Sequence, residues 1–102
     1  VTYSVAKAAL NAYIKNISRH LGERGIRING IAPGNIFFEN SVWDKKLKQD
    51  KNLVENFLKE NVSLNTLGDP NDISNLAVYL SSPLAKFITG SILRVDGGQV
   101  RS

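Results

Sequence analysis

Only two stretches of this chain read as buried strands, and the sequence between them reads as helix and loop. Residues 26–32 are crowded with Ile26, Ile28, Ile31 and Ala32, and Ser91–Val95 forms the second run. Apolar runs without alternation suit strands covered by helices on both faces. Strands joined by long helical crossovers pair in parallel, since a tight hairpin can only reverse the chain. Two strands alone make a poor sheet, because each needs neighbours on its edges. The expectation is an α/β layered fold that is the C-terminal part of a larger, doubly wound parallel sheet, with the other strands upstream of Val1. Absence of methionine and a start at Val1-Thr2-Tyr3 lead to the same expectation of a piece of a longer chain.

The helical patterns are distinct. Tyr3, Lys7, Leu10, Ile14, Ile17 and Leu21 recur at steps of four and three, one stripe of a helix over 3–21. Alanines at 6, 8, 9 and 12 favour it, and Gly22 and Gly25 stop it. Pro33-Gly34 ends the first strand. Residues 41–51 and 53–61 read as two short amphipathic helices, carrying Val42, Trp43 and Leu47 on one and Leu53, Val54, Phe57 and Leu58 on the other. Asp69 reads as an N-cap with Pro70 at the first helical position and Asp72 in the first turn. Ile73, Leu76, Ala77 and Leu80 are that helix's buried stripe, Pro83 follows its end, and Asp96-Gly97-Gly98 turns out of the second strand.

Composition removes whole classes of function. Cysteine is absent, which excludes disulfides, zinc–thiolate sites and thiol nucleophiles, and one histidine speaks against a histidine-built metal site; no metal is expected. No apolar run can span a bilayer and no leader opens the sequence, so the expected location is cytoplasmic, with no membrane partner. The formal charge of +4 invites a nucleic-acid reading. Yet the lysines over 44–60 alternate with Asp44, Asp50, Glu55 and Glu60, as on a solvated helix face, and no nucleic-acid partner is expected.

The chemistry concentrates at a few positions. Tyr3 and Lys7 lie four apart on a helix, so their side chains meet on one face. A lysine in an apolar stripe and near a helix N-terminus sits against local preference, as functional residues often do. A free tyrosine holds its proton too tightly to exchange it readily at neutral pH; a neighbouring ammonium favours the phenolate and makes the phenol a usable general acid or base. The bland alternative is a core-edge tyrosine beside a snorkelling lysine. Pro33-Gly34-Asn35-Ile36 follows the carboxyl end of a strand, where α/β sheets bind ligands, or is an ordinary turn. Asp96-Gly97-Gly98 reads as a tight turn rather than a phosphate loop, and His20 as a helix C-terminal surface residue. Phe37, Phe38 and Trp43 either line a substrate pocket or staple the short helices to the core.

Taken together, Tyr3-Ser4-Val5-Ala6-Lys7, Ile28-Asn29-Gly30-Ile31-Ala32-Pro33-Gly34-Asn35-Ile36, Gly68-Asp69-Pro70-Asn71-Asp72-Ile73 and Ile88-Thr89-Gly90-Ser91-Ile92-Leu93-Arg94-Val95-Asp96-Gly97-Gly98 resemble the short-chain dehydrogenase/reductase family, in its order and across essentially the whole chain. The nearest type includes 3-oxoacyl-carrier-protein reductases and sugar or polyol dehydrogenases. The resemblance implies a Rossmann-type sheet, with residues 1–102 as the C-terminal portion of one NAD(P)-binding domain and 37–61 as a substrate-covering loop and helices. It implies that Tyr3 donates or accepts the proton. Lys7 assists it and binds the nicotinamide ribose. Pro33, Gly34 and Ile36 contact the nicotinamide end, and Phe37, Phe38 and Trp43 line the substrate site.

The implied function is interconversion of an alcohol and a carbonyl on a small molecule, with NAD or NADP undetermined, in a homo-oligomer (tetramer or dimer). Many members carry Thr where this chain has Phe38, which suggests a more apolar wall. The family's glycine-rich phosphate loop, cofactor-selecting residue and catalytic serine precede the tyrosine, so the isolated chain is expected to be inactive. The competing reading is a non-catalytic oligomerisation or binding fragment of the same fold.

Overall fold

The computed structural model describes residues 2–99, so the ends of the expected 1–102 domain lie outside the described residues. In chain order the elements are α1 (Thr2–Gly22), β1 (Gly30–Pro33), α2 (Val42–Gln49), α3 (Lys51–Asn61), α4 (Pro70–Ser81), a short 3-10 turn (Pro83–Ala85) and β2 (Ile92–Val95). The strands pair as one two-stranded sheet. Gly30 N–H donates to the Ser91 carbonyl at 2.8 Å and Gly34 N–H to the Val95 carbonyl at 2.9 Å. Partner numbers rise together along both strands, which makes the pairing parallel, as the crossovers require.

β1 is shorter and begins later than residues 26–32 suggest. Ile26 N–H closes the end of α1 on the Leu21 carbonyl at 3.0 Å, after Gly25 adopts φ +74°. Ile28 N–H is taken by the Thr89 hydroxyl at 3.2 Å rather than by a strand. The Asn29 carboxamide likewise bridges to the Ile88 carbonyl and Ser91 N–H. With one main-chain bond, Gly90 N–H to the Ile28 carbonyl at 2.7 Å, these side chains hold the two segments together until the ladder starts at Gly30. Pro33 extends the strand by one residue beyond the expected end. Gly30 and Gly34 face β2, so by alternation the missing N–H of Pro33 falls on the other edge and costs no β1–β2 bond.

The chain forms two compact units, one running through Ile31 together with Ala77–Leu93, the other Ala32–Leu76 with the residues from Arg94 onward. In the first, Ile14, Leu80 and Ala85 are buried. Only the second half of the α1 stripe is covered: Ile17 and Leu21 are half-buried, whereas Leu10 is 57% and Tyr3 73% exposed. Ser18 Oγ would stand 2.5 Å from a Cβ on Gly90, whose φ of +72° also demands glycine. Arg27 ties the end of α4 to the turn and loop leading into β2. One guanidinium nitrogen donates to the Leu80 carbonyl at 2.8 Å and the Ile88 carbonyl at 3.3 Å, the other to the Ser82 carbonyl at 3.3 Å.

In the second unit, α2 and α3 pack as a pair over Val54, Leu58 and Val62, with Trp43, Leu47, Phe57 and Leu67 against them. Asp50 is at once the C-cap of α2, its N–H on the Lys46 carbonyl, and the N-cap of α3, its carboxylate on Leu53 N–H. The cap of α4 is as expected: Asp69 Oδ1 accepts from Asn71 N–H, and Asp72 Oδ2 returns to Asp69 N–H, both at 2.8 Å. Among the described residues no helix is long and apolar enough to cross a membrane.

Candidate active site

Tyr3 and Lys7 share one side of α1, one turn apart. The Lys7 Nζ lies 5.6 Å from the centroid of the Tyr3 ring, so the cation rides the aromatic face. Both side chains are exposed, so the ammonium is hydrated where it stands, and the cost expected of a lysine in an apolar stripe does not arise in this half of α1. Among the described residues no carboxylate pairs with Lys7.

The segment after β1 belongs to the second unit. Gly34 approaches the other strand so closely that a Cβ would lie 2.7 Å from Asp96 Cα, a backbone atom that cannot step aside. Asn35 Nδ2 donates to Gln99 Oε1 at 2.8 Å. Ile36 then forms a parallel bridge with Gly68, made by Gly68 N–H on the Asn35 carbonyl and Phe37 N–H on the Gly68 carbonyl, both at 2.8 Å. In such a bridge the central residue's own N–H and C=O turn to the opposite edge. Ile36 therefore offers an adjacent donor and acceptor there, which sequence reasoning cannot see because it depends on Gly68 arriving alongside.

Asp96-Gly97-Gly98 is a tight turn: Gly97 and Gly98 have φ of +64° and +86°, and Asp96 Oδ1 accepts from Gly98 N–H at 3.0 Å. It also anchors the loop after α3, through Leu64 N–H on the Gly97 carbonyl and the Ser63 hydroxyl on the Gly98 carbonyl. A cavity of about 300 Å³ opens beside it, walled by Ile36, Leu67, Val95 and Asp96.

The aromatics separate. Trp43 stacks obliquely on Phe57, with centroids 5.1 Å apart and planes at 39°, under the Lys46 ammonium 4.6 Å from its centroid. It borders a groove of about 600 Å³ along α2 and α3. Phe37 and Phe38 stay 38% and 54% exposed and do not join that stack.

The bonds that hold the turn carrying them lie outside the sequence reading, although Ser41-Val42-Trp43-Asp44 carries the capping-box spacing. Ser41 and Asp44 are buried polar residues. Ser41 Oγ accepts from Phe38 N–H and Asp44 N–H, both at 3.2 Å. Asp44 Oδ2 accepts at 2.9 Å from Asn40 N–H, where the chain is left-handed at φ +66°. That bond holds the Asp44 carboxyl below its ordinary value, and Lys48, 3.4 Å away, adds to the effect. A lowered carboxylate stabilises the fold above its unfolded pKa of about 3.9, and the contribution is lost as pH falls through the lower folded value. Asp44→Asn is therefore expected to flatten the loss of stability below about pH 4, read from denaturation midpoints across pH. Parallel acid profiles for the two proteins would contradict this.

A sequence profile of the family described as enoyl-(acyl carrier protein) reductase matches residues 1–99. Isoepoxydon dehydrogenase of Aspergillus clavatus is 38% identical over 99 residues, covering 94% of this chain and 37% of that protein. The structure of 4-hydroxyisoleucine dehydrogenase complexed with NADH superposes with a TM-score of 0.83 at 38% identity, over 96% of this chain and 39% of that one. L-sorbose reductase from Gluconobacter frateurii, complexed with NADPH and L-sorbose, gives a TM-score of 0.84 at 29% identity, over 98% of this chain and 40% of that one. The chain thus spans little more than a third of the length of the relatives it matches, and within that span the helix–strand–helices–strand order is that of a partial Rossmann sheet. With the profile matched from residue 1 to 99 and the fold shared over nearly its whole length, this chain belongs to the short-chain dehydrogenase/reductase family.

Proposed function

We propose that the protein carrying this segment is an NAD- or NADP-dependent oxidoreductase that interconverts an alcohol and a carbonyl. The observation that carries this reading is the Tyr3–Lys7 pair, with the ammonium over the phenol ring on one side of α1. The NADH and NADPH in the two similar dehydrogenase and reductase structures support either cofactor and do not choose between them.

The residues present fit the nicotinamide end of such a cofactor. A carboxamide is a donor–acceptor pair, and the outward N–H and C=O of Ile36 are its complement. Pro33 and Gly34 add an apolar ring and bare backbone beside them. When bound, the cofactor supplies or receives a hydride at the substrate carbon. The Tyr3 hydroxyl gives its proton to the carbonyl oxygen in reduction and takes it back in oxidation. Lys7 stabilises negative charge on the phenolic oxygen as the proton leaves, and holds the nicotinamide ribose hydroxyls.

Phe37, Phe38 and Trp43 are assigned to the substrate, and residues 37–61 to its cover, with Phe38 making the wall apolar. A 3-oxoacyl thioester and a sugar or polyol are the candidate substrates. The 102-residue chain alone is expected to be inactive, its short sheet and exposed α1 stripe giving a dinucleotide no complete seat. Purified full-length protein should consume NADH or NADPH when offered a panel of ketones and 3-oxoacyl thioesters, followed by cofactor absorbance. Failure to bind either nucleotide would sink the reading, and carbonyl-dependent turnover by the isolated chain would sink the expectation of inactivity.

A further inference from the structure

Asn29-Gly30 is the chain's single Asn-Gly pair, and it carries a chemistry that oxidoreduction does not use. Next to glycine, the following backbone nitrogen meets no Cβ hindrance as it attacks the asparagine side-chain carbonyl carbon. A bond forms between the Gly30 nitrogen and Asn29 Cγ, the Cγ–Nδ2 bond breaks, and ammonia leaves with the proton shed by the Gly30 nitrogen. Water then opens the succinimide to aspartate or isoaspartate. Water is the sole co-reactant and no electrons are transferred.

In the folded chain both reacting groups are tied elsewhere. Gly30 N–H is held by the Ser91 carbonyl at 2.8 Å. Asn29 Nδ2 donates to the Ile88 carbonyl at 3.1 Å, and Oδ1 accepts from Ser91 N–H at 3.0 Å. The Ile92 and Ile14 methyls would lie 2.8 and 3.1 Å from a Gly30 Cβ, which pins the start of β1 beneath α1. Ring closure needs the Gly30 nitrogen turned onto Cγ, so three hydrogen bonds must break first.

We infer that Asn29 is a modification site, protected while β1 is paired with residues 88–91 and converted through the succinimide when that pairing opens. The conversion cannot be undone by refolding. A carboxylate has no N–H for the Ile88 carbonyl and sets an oxygen against it. Isoaspartate adds a methylene to the main chain where the ladder begins, in a structure whose faces depend on residue alternation. Each conversion therefore records an opening event and removes the chain from the reversible folding equilibrium.

The test is peptide mass spectrometry of Asn29 in the full-length protein, incubated at neutral pH across a denaturant series, with hydrogen exchange of the Gly30 and Ser91 amides read in parallel. Conversion should rise about tenfold for each 1.4 kcal/mol by which opening becomes easier, in step with exchange. Gly30→Ala, compared in full denaturant so that its folding is irrelevant, should slow conversion strongly. Equal conversion in folded and denatured protein, an unmodified Asn29 in the denatured chain, or no effect of Gly30→Ala there would overturn the inference.

Discussion

Tyr3→Phe in the full-length protein is expected to lower kcat by about two to four orders of magnitude, the usual worth of a positioned proton donor. The substitution removes one oxygen from a 73% exposed ring, so neither packing nor burial stands to suffer. The Lys7 ammonium keeps its place over the ring, because the aromatic face survives without the hydroxyl. Affinity for NADH or NADPH should accordingly stay within a small factor in a fluorescence titration. Lys7→Ala should differ in kind: it removes both charge stabilisation and the ribose contact, so nucleotide affinity and turnover fall together. A Phe variant turning over at the wild-type rate would take Tyr3 out of the mechanism while leaving nucleotide binding to be judged separately.

Arg27→Ala is expected to destabilise the fold by about 3 kcal/mol, the scale of losing charged hydrogen bonds and leaving carbonyls unsatisfied. Its guanidinium serves the Leu80, Ser82 and Ile88 carbonyls, which lie where α4 ends and the chain turns through Pro83–Ala85 toward β2. Helix C-terminal carbonyls have no partners inside the helix, and a cation is favoured at that end. Arg27→Lys should recover only part, because an ammonium cannot reproduce the fork that serves three acceptors. The measurement is the denaturation midpoint of the full-length protein with the slope held constant. A midpoint within about 0.5 kcal/mol of wild type would show that the carbonyls find other partners.

Features that depend on near neighbours are legible in the sequence. The period of α1, the Asp69 and Pro70 start of α4, the turn at Asp96-Gly97-Gly98 and the meeting of Tyr3 with Lys7 are all set within a few residues. Features that depend on distant partners are not. Arg27 reads only as one basic residue among several, since its acceptors lie more than fifty positions away. The apolar pattern starts β1 too early because it counts Ile26 and Ile28, while their N–H groups are claimed by the Leu21 carbonyl and by a threonine hydroxyl. At the site, the residue types of Pro33–Ile36 are visible, but the outward edge of Ile36 exists only through its bridge to Gly68. Asp50 escapes for another reason: with charged residues close on either side of it, nothing in composition marks where one helix hands over to the next.

That handover limits how this part of the protein can change. Because Asp50 closes α2 with its backbone and opens α3 with its side chain, no spacer separates them. Inserting or deleting even one residue there would unseat two helix ends together. Diversification over 42–61 must then proceed by exchanging side chains on a fixed backbone length. A library built to retune this protein should vary side-chain identity within the pair and leave its length alone.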